Sequence, residues 1–329
     1  MRRPDEFRKL ADRVRAEKEK HGCRQARERG NKEATGKNAQ TGRKRQVTRT
    51  AITVLGSGSK GNATLLELGD TRILLDAGFS MRQIRRRLEA ADCSLGMLDA
   101  VCCTHTHTDH IRDISFRILL RHNIPLHFHK GNERFFSRRY PLFRQAREAG
   151  LLERFSDEPF MIGGVRVQPL LFPHDSTGVN NGFQFYAPGP GGGEIKISFA
   201  TDLGVFPDEY HARFAGSDVI VLESNHDLQM LAESDRHEDL KARISSCEGH
   251  LSNEQALEAL LAILGDPKEC ATKYVVMVHL SEECNTPELV KSSIGDKLSE
   301  RGYENLEFHI AKQHEPTESI ELAAPLAAR

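Results

Sequence analysis

The chain has 329 residues, 38% of them apolar, with no tryptophan and a formal net charge of −1. That length can bury one large core or two small ones, and no stretch approaches the roughly 18 apolar residues in a row that would span a bilayer. The near-neutral total hides a division: residues 1–50 carry 17 Lys and Arg against 7 Asp and Glu, whereas residues 51–329 carry 29 against 40.

Residues 1–50 show no sustained apolar periodicity, and Gly, Asn, Gln, Lys and Arg dominate from Gly30 to Arg49. They read as a basic, disordered arm. It is either a passive tail or an electrostatic tether to nucleic acid or another polyanion; a misassigned start codon is a third reading. The opening MRRPDEFRKLADRVRAEKEK lacks the apolar core of a secretory leader and is too acidic for a mitochondrial transit peptide. Seven scattered cysteines with no C-x-x-C pair suit reduced thiols and a cytoplasmic location.

Order is expected from Ala51. AITVL (51–55), ATLLEL (63–68) and TRILL (71–75) read as strands, with Gly69-Asp70 as a tight turn between the last two. An Arg-rich helix follows over 81–91, then a buried strand DAVCCT (99–104), a helix over 111–122 and a strand PLHFH (125–129). GVRVQPLLF, NNGFQFYA, EIKISFA and DVIVLES are further strands, with helices between the later ones. Thr286-Pro287-Glu288 starts a helix, with Thr as N-cap and Pro at the first helical position. KYVVMVHL (273–280) and LEFHIA (306–311) complete the strands. The order predicts a layered α/β protein with two sheets inside and helices outside; no internal repeat is apparent.

The strongest chemical signal is Thr104-His105-Thr106-His107-Thr108-Asp109-His110, directly after a buried strand. His105 and His107 lie two apart in extended chain, so their rings can share one ion. Asp109 and His110 begin the turn into the helix and can face a second. Imidazole nitrogen and carboxylate oxygen both suit Zn²⁺. One loop cannot complete two coordination spheres, and three more ligand-type residues stand at strand ends: His174 in FPHD, Asp202 in ATDLG and His279 in VHLS. His127 and His129 on PLHFH read as structural.

At this point the sequence resembles the metallo-β-lactamase superfamily over roughly residues 51–311, which leaves 312–329 as a C-terminal tail. Within it the chain is most similar to the YycJ/WalJ-like branch. The matching stretches are LGSGSKGNATLLE, LLDAGFS, THTHTDHI, FPHDSTG, TDLG, ESNHD, GHLSN and VHLSEECNTPE. HxHxDH is shared across the superfamily; ESNHD followed by GHLSN and HLS is much narrower. The resemblance implies a four-layered αββα sandwich with a binuclear site at one edge of the sheets. It implies His105, His107 and His174 on one divalent ion, Asp109, His110 and His279 on the other, and Asp202 between them. Asp113 departs from relatives, which often have a small residue there.

Such a pair of ions, Zn²⁺ or Mn²⁺, lowers the pKa of a shared hydroxide toward neutrality and stabilises charge on a carbonyl or phosphoryl oxygen. Asp109 is expected to orient that nucleophile as well as bind metal. His250, in EGHLSN, precedes a helix that Ser252 and Gln255 can cap as a box. In ribonuclease Z and β-CASP nucleases a histidine in a similar motif protonates the leaving alkoxide or contacts the scissile phosphate, and the resemblance gives His250 that role; the alternative is a structural capping histidine. His226 is a weaker competitor, and Glu223 is expected to hold a neighbouring ligand. GSGSKG fits G-x-G-x-x-G, but strand rather than helix follows it, so it is not a dinucleotide site; its amides remain candidates for binding a phosphate. The di-iron oxygen reductases of the superfamily carry Glu where this chain has His107, so the resemblance favours hydrolysis over redox chemistry.

The leading substrate class is a phosphodiester, specifically DNA cleaved by an exonuclease. Against it stand the acidic body and the lack of a β-CASP insert, since only 47 residues separate Asp202 from His250. The alternatives are hydrolysis of a small ester, thioester or lactone at the same metals, or a weakly catalytic binding or regulatory protein of this fold.

Overall fold

The computed structural model describes residues 49–189 and 192–323. In the first half, β1 (Arg49–Gly56), β2 (Ala63–Gly69) and β3 (Thr71–Leu75) form an antiparallel meander. Gly69 makes the last turn at φ +66°, a conformation that glycine adopts without steric cost. The direction of growth then changes. β4 (Ala100–Cys102), β5 (Leu126–His129) and β6 (Leu152–Phe155) add in parallel. Parallel neighbours need long crossovers, and helices supply them: α1 (Met81–Ala90), α2 (Asp113–His122), then α3 (Glu133–Arg139) with α4 (Leu142–Glu148).

The second half repeats the plan. β7 (Phe160–Ile162), β8 (Val165–Phe172), β9 (Asn180–Pro188) and β10 (Glu194–Ala200) are antiparallel. β11 (Val219–Glu223), β12 (Tyr274–Val278) and β13 (Glu307–Ile310) then add in parallel. The connecting helices are α5 (His211–Phe214), α6 (Leu228–Glu233), α7 (Glu238–Ile244), α8 (Asn253–Leu264), α9 (Pro287–Val290) and α10 (Asp296–Glu300). With β14 (Ile320–Ala323) at one edge, the described residues form two seven-stranded sheets, in the orders β14-β1-β2-β3-β4-β5-β6 and β13-β12-β11-β10-β9-β8-β7. The sequence showed no repeat, yet the two halves share their topology.

Side chains alternate across each strand, and the alternation sorts most of the buried apolar residues described into three large cores. Ile52, Leu66, Ile73 and Leu75 meet Val167, Phe183, Phe185 and Val276 between the sheets. Leu55, Leu65, Leu74 and Val101 face outward onto Ile84 and Leu88 of α1 and Phe116 and Leu119 of α2. Ile220, Leu222, Val275 and Met277 face the other way onto Leu257, Leu260 and Ile263 of α8. Burial on both faces explains why VIVL and YVVMV are unbroken apolar runs. This is the expected αββα sandwich.

Several expectations about the ends change. Residues 1–48 of the basic arm lie outside the described residues, and β1 begins at Arg49. The stretch after residue 311 is not a tail as far as Ala323: β14 (Ile320–Ala323) pairs antiparallel with β1, covering an edge that would otherwise expose its backbone groups. Strands β6 and β7 and helices α3 and α4 were not read from the sequence. The anticipated caps are present: Ser252 and Gln255 form a capping box on α8, and Thr286 accepts from Leu289 N with Pro287 in the first turn. Asp113 is the first residue of α2, where a carboxylate complements the helix dipole. Among the described residues no helix is long and apolar enough to cross a membrane, and the cysteines are free thiols.

Candidate metal centre

The residues singled out by sequence converge on one edge of the sandwich. The 105–110 loop follows β4, His174 follows β8, Asp202 follows β10, Glu223 ends β11 and His279 follows β12. Three strand-end residues here adopt left-handed backbone: Asp76 at φ 60°, Asp202 at φ 60° and His279 at φ 58°. For non-glycine residues that costs about 1–2 kcal/mol each, so conformational strain gathers at this edge. Close backbone packing positions the loop. Asn62 N donates to Asp109 O at 2.7 Å and Ala77 N to His110 O at 2.8 Å. A Cβ on Gly78 would lie 1.6 Å from the Asp109 carbonyl oxygen, so only glycine fits.

The histidines form two groups. The ring centroids of His105, His107 and His174 lie 4.8–5.1 Å apart. His110 Nε2 lies 3.5 Å from Asp109 Oδ2 and 3.2 Å from Asp202 Oδ2, and His279 Nε2 lies 3.5 Å from Asp109 and 3.4 Å from Asp202 Oδ1. Donor atoms of His105, His107 and His174, of His105, His110 and Asp202, and of Asp109, His110 and His279 each fall within 4.8 Å of one another.

The donor set fits divalent cations on two grounds. His105 Nε2, Asp202 Oδ2 and His279 Nε2 are buried and make no hydrogen bond among the described residues, a costly state for polar groups. His174 Nδ1 donates to Gly249 O at 3.2 Å, which makes Nε2 an acceptor, yet that atom lies only 3.2 Å from His107 Nδ1. Two such nitrogens facing each other need a proton or a cation between them. The electrostatics agree. Burial opposes protonation of every ring and prevails at His105, His107 and His174, which sit below the usual imidazole range. At His110 and His279 burial is outweighed by Asp202 and its neighbouring carboxylates; His110 is held well above its ordinary value and His279 at about 10. A field that keeps protons on two buried imidazoles is one for which a metal ion can exchange.

A second layer orders the first, and part of it escaped the sequence reading. Asp76 accepts from His110 Nδ1 at 2.8 Å, Thr104 N at 2.9 Å and Thr104 Oγ1 at 2.9 Å. It thereby fixes the tautomer that turns His110 Nε2 toward the carboxylates. Its signal was available: LLDAG places an Asp after β3 just as FATDLG does after β10. Glu223, anticipated as an acceptor, is fully buried and more heavily used than expected. Its Oε2 lies 3.1 Å from both His250 Nδ1 and His279 Nδ1 and accepts from Asp202 N at 2.8 Å; Oε1 accepts from Leu251 N at 2.8 Å. Burial opposes its ionisation, but His250 and His279 pull it down to about 2. Asp175 was also missed: its Oδ1 lies 3.7 Å from His174 Nε2 and 3.9 Å from His107 Nε2.

His250 stands beside the cluster, its ring centroid 5.2 Å from His174 and 5.1 Å from His279. His127 stacks on Phe160, with burial lowering it to about 4, and His129 meets Asp157 at 3.1 Å; neither joins the cluster. His226 is buried, and its ring nitrogens make no hydrogen bond among the described residues. The GSGSKG loop does not present a set of amides to a phosphate. Those of Ser57, Gly58, Lys60, Gly61 and Asn62 donate inward to Lys312 O, Asn62 Oδ1, Gln313 Oε1, Gly58 O and Asp109 O.

Residues 71–280 match the family model for the beta-lactamase superfamily domain, and the chain belongs to that superfamily, with the metallo-β-lactamase fold. Within it, the chain falls in the YycJ/WalJ-like branch. It is 27% identical over 277 residues to exodeoxyribonuclease YycJ of Bacillus anthracis, covering 81% of this chain and 97% of that one. It is 28% identical over 253 residues to exodeoxyribonuclease WalJ of Streptococcus pneumoniae serotype 2, covering 75% and 87%. Solved structures sharing the fold include Zn(2+)-bound PqqB from Methylobacterium extorquens (TM-score 0.57, 17% identity, 82% of this chain and 100% of that one). Human tRNase Z, short form, is another (TM-score 0.53, 15% identity, 82% and 99%). The fold implies divalent-metal binding, and the cluster above supplies donors of the right kind.

Proposed function

We propose that the chain is a metal-dependent phosphodiesterase acting on DNA as an exonuclease, the activity that the names of its YycJ and WalJ relatives carry. His105, His107 and His174 would hold one divalent ion, Zn²⁺ or Mn²⁺, and Asp109, His110 and His279 the second, with Asp202 shared. Bound there, the cations supply an activated water and offset charge on a phosphoryl oxygen. Asp109 orients the nucleophile. Asp76 and Glu223 keep His110 and His279 in their tautomers.

The observation that carries the reading is the placement of His250. Glu223 Oε2 lies 3.1 Å from His250 Nδ1 and orients the ring at a cavity beside the cluster; with both ring nitrogens protonated, Nε2–H is the proton donor. A leaving alkoxide needs that proton and a thiolate does not, which favours phosphodiesters over thioesters. Although His250 also groups with Asp202, Glu223 and His279 as a potential metal set, Glu223 already serves two imidazoles and two amides and is a hub rather than a free ligand.

Charge adds support. The body is not uniformly acidic: residues 81–154 carry 14 Lys and Arg against 8 Asp and Glu, and residues 155–323 carry 12 against 29. The excess includes exposed Arg82, Arg86, Arg117, Arg121, Arg138 and Arg139 on α1–α3, a surface that attracts a polyanion.

The test is His250→Ala with metal content measured alongside. General-acid loss is expected to slow DNA cleavage by about 10²–10⁴-fold, while an activated diester such as bis(p-nitrophenyl) phosphate, whose leaving group needs no proton, loses far less. Equal losses on both substrates, or loss of a metal equivalent, would remove the proton-donor role. Wild-type protein that cleaves a thioester and leaves duplex and single-stranded DNA intact with either metal would overturn the reading itself.

A further inference from the structure

Beside the cluster lies a cavity of about 140 Å³ whose lining includes Ser59, Arg236, Arg243, His250 and Ser281. Small-molecule sites usually measure about 300–1,000 Å³, so it has room for one tetrahedral group rather than a whole nucleotide. The two arginines come from the segment between β11 and α8, Arg243 within α7 and Arg236 just before it. Both are anchored. Arg236 Nε donates to Glu283 at 2.9 Å and one terminal nitrogen reaches Ser281 Oγ at 3.4 Å. Arg243 Nε donates to Asp175. Asp175 in turn stands next to His107 and His174, so this cavity wall is tied mechanically to the first histidine group.

Each guanidinium is thus oriented through Nε by a carboxylate, which fixes its plane and commits only part of its donor fork. Arginine forks recognise phosphate oxygens in pairs, and the hydroxyls of Ser59 and Ser281 add donors. His250 is a wall of the same cavity, so a group seated there lies next to the bond that His250 would help to cleave. A phosphodiester inside a strand continues in both directions and cannot enter a small pocket; a phosphate at a strand end can. That end also carries more charge, about −1.5 to −2 near neutral pH, against −1 for a diester.

We infer that this cavity is a terminal-phosphate subsite: Arg236 and Arg243 hold the phosphomonoester at the end of a nucleic-acid strand and so make the enzyme act from phosphorylated ends. The inference rests on the phosphodiesterase reading, and its test separates the two. Four duplexes differing only in a phosphate or hydroxyl at the 5′ or 3′ end are compared as substrates for wild type, Arg236→Gln and Arg236→Lys. Wild type is expected to prefer one phosphorylated end by about tenfold or more, which is 1.4 kcal/mol, and the end preferred identifies the source. Arg236→Gln is expected to bring the ratio of kcat/KM for phosphate over hydroxyl ends close to 1, mainly through KM. Arg236→Lys keeps the charge without the fork and is expected to fall between. Using the ratio cancels any loss common to both substrates. An end-blind wild type, or a preference that survives in Arg236→Gln, overturns the subsite. If none of the four DNAs is cleaved by wild type, the phosphodiesterase reading fails first. Fluorescence anisotropy with the same duplexes then decides the pocket: equal binding of phosphate and hydroxyl ends overturns it, and weaker phosphate binding in Arg236→Gln supports it.

Discussion

The two halves of the sandwich use one backbone device for two purposes. β3 and β10 are each the strand at which an antiparallel meander gives way to parallel growth. Each is followed by an aspartate at φ 60° and, two residues later, by a glycine pressed against backbone: Gly78 on Asp109 O, Gly204 on Ser246 O. In the first half the Asp76 amide donates to Cys102 O at 2.8 Å, and the carboxylate is consumed by Thr104 and His110. In the second half the Asp202 amide donates to Glu223 instead, and its carboxylate is left facing His110, His174 and His279. The two amides thus go to different neighbours, and of the two carboxylates only that of Asp202 is left toward the proposed metal ligands.

That contrast can be broken by experiment. The largest effect is expected from Asp202→Asn, which loses the carboxylate shared between both groups: one metal equivalent by elemental analysis, and activity on bis(p-nitrophenyl) phosphate down by on the order of 10³-fold. Asp76→Asn keeps the acceptor for Thr104 and is expected to cost only about 10–100-fold in metal affinity, read by titration with a chelator. Losses of the same size at both positions would erase the distinction. Gly78→Ala and Gly204→Ala are each expected to lower Tm by about 5 °C or more, because the added methyl must displace backbone. Gly78→Ala should also disturb Asp109, whereas Gly204→Ala acts on the loop carrying Gly249 and His250; matched metal contents in the two variants would contradict that split. The smallest effect is expected from Arg117→Glu with Arg121→Glu, which should reduce the slope of log K against log salt for DNA binding by about 1 for each phosphate that is no longer neutralised. An unchanged slope would take α2 out of the DNA-facing surface.

The cluster of His and Asp residues was legible because ligand chemistry restricts residue types and because each stands where an apolar run stops, as VVMV does before His279. The long buried strands were legible for the same reason. What tertiary contact decides was not. Asp76 looks like any turn aspartate until His110 is brought back to it, 34 residues later. Asp175 and Arg243 meet across 68 residues. β6 reads as LERF, with two of its four residues exposed, and shows no strand-like pattern without β5 beside it. Two amides of the GSGSKG loop, those of Ser57 and Lys60, looked free in the sequence because their acceptors, Lys312 and Gln313, lie some 250 residues away.

Pairing β1 with β14 has a consequence for how this polypeptide is made. β1 emerges from the ribosome early, but its outer neighbour is translated more than 260 residues later, so the nascent chain carries an unsatisfied edge through nearly the whole of synthesis. Such edges recruit other strands. Gln313, which clamps Gly61 and Lys60 beside the cluster, arrives equally late. A product ended at residue 311 is therefore expected to aggregate during expression even though every proposed metal ligand has already been synthesised.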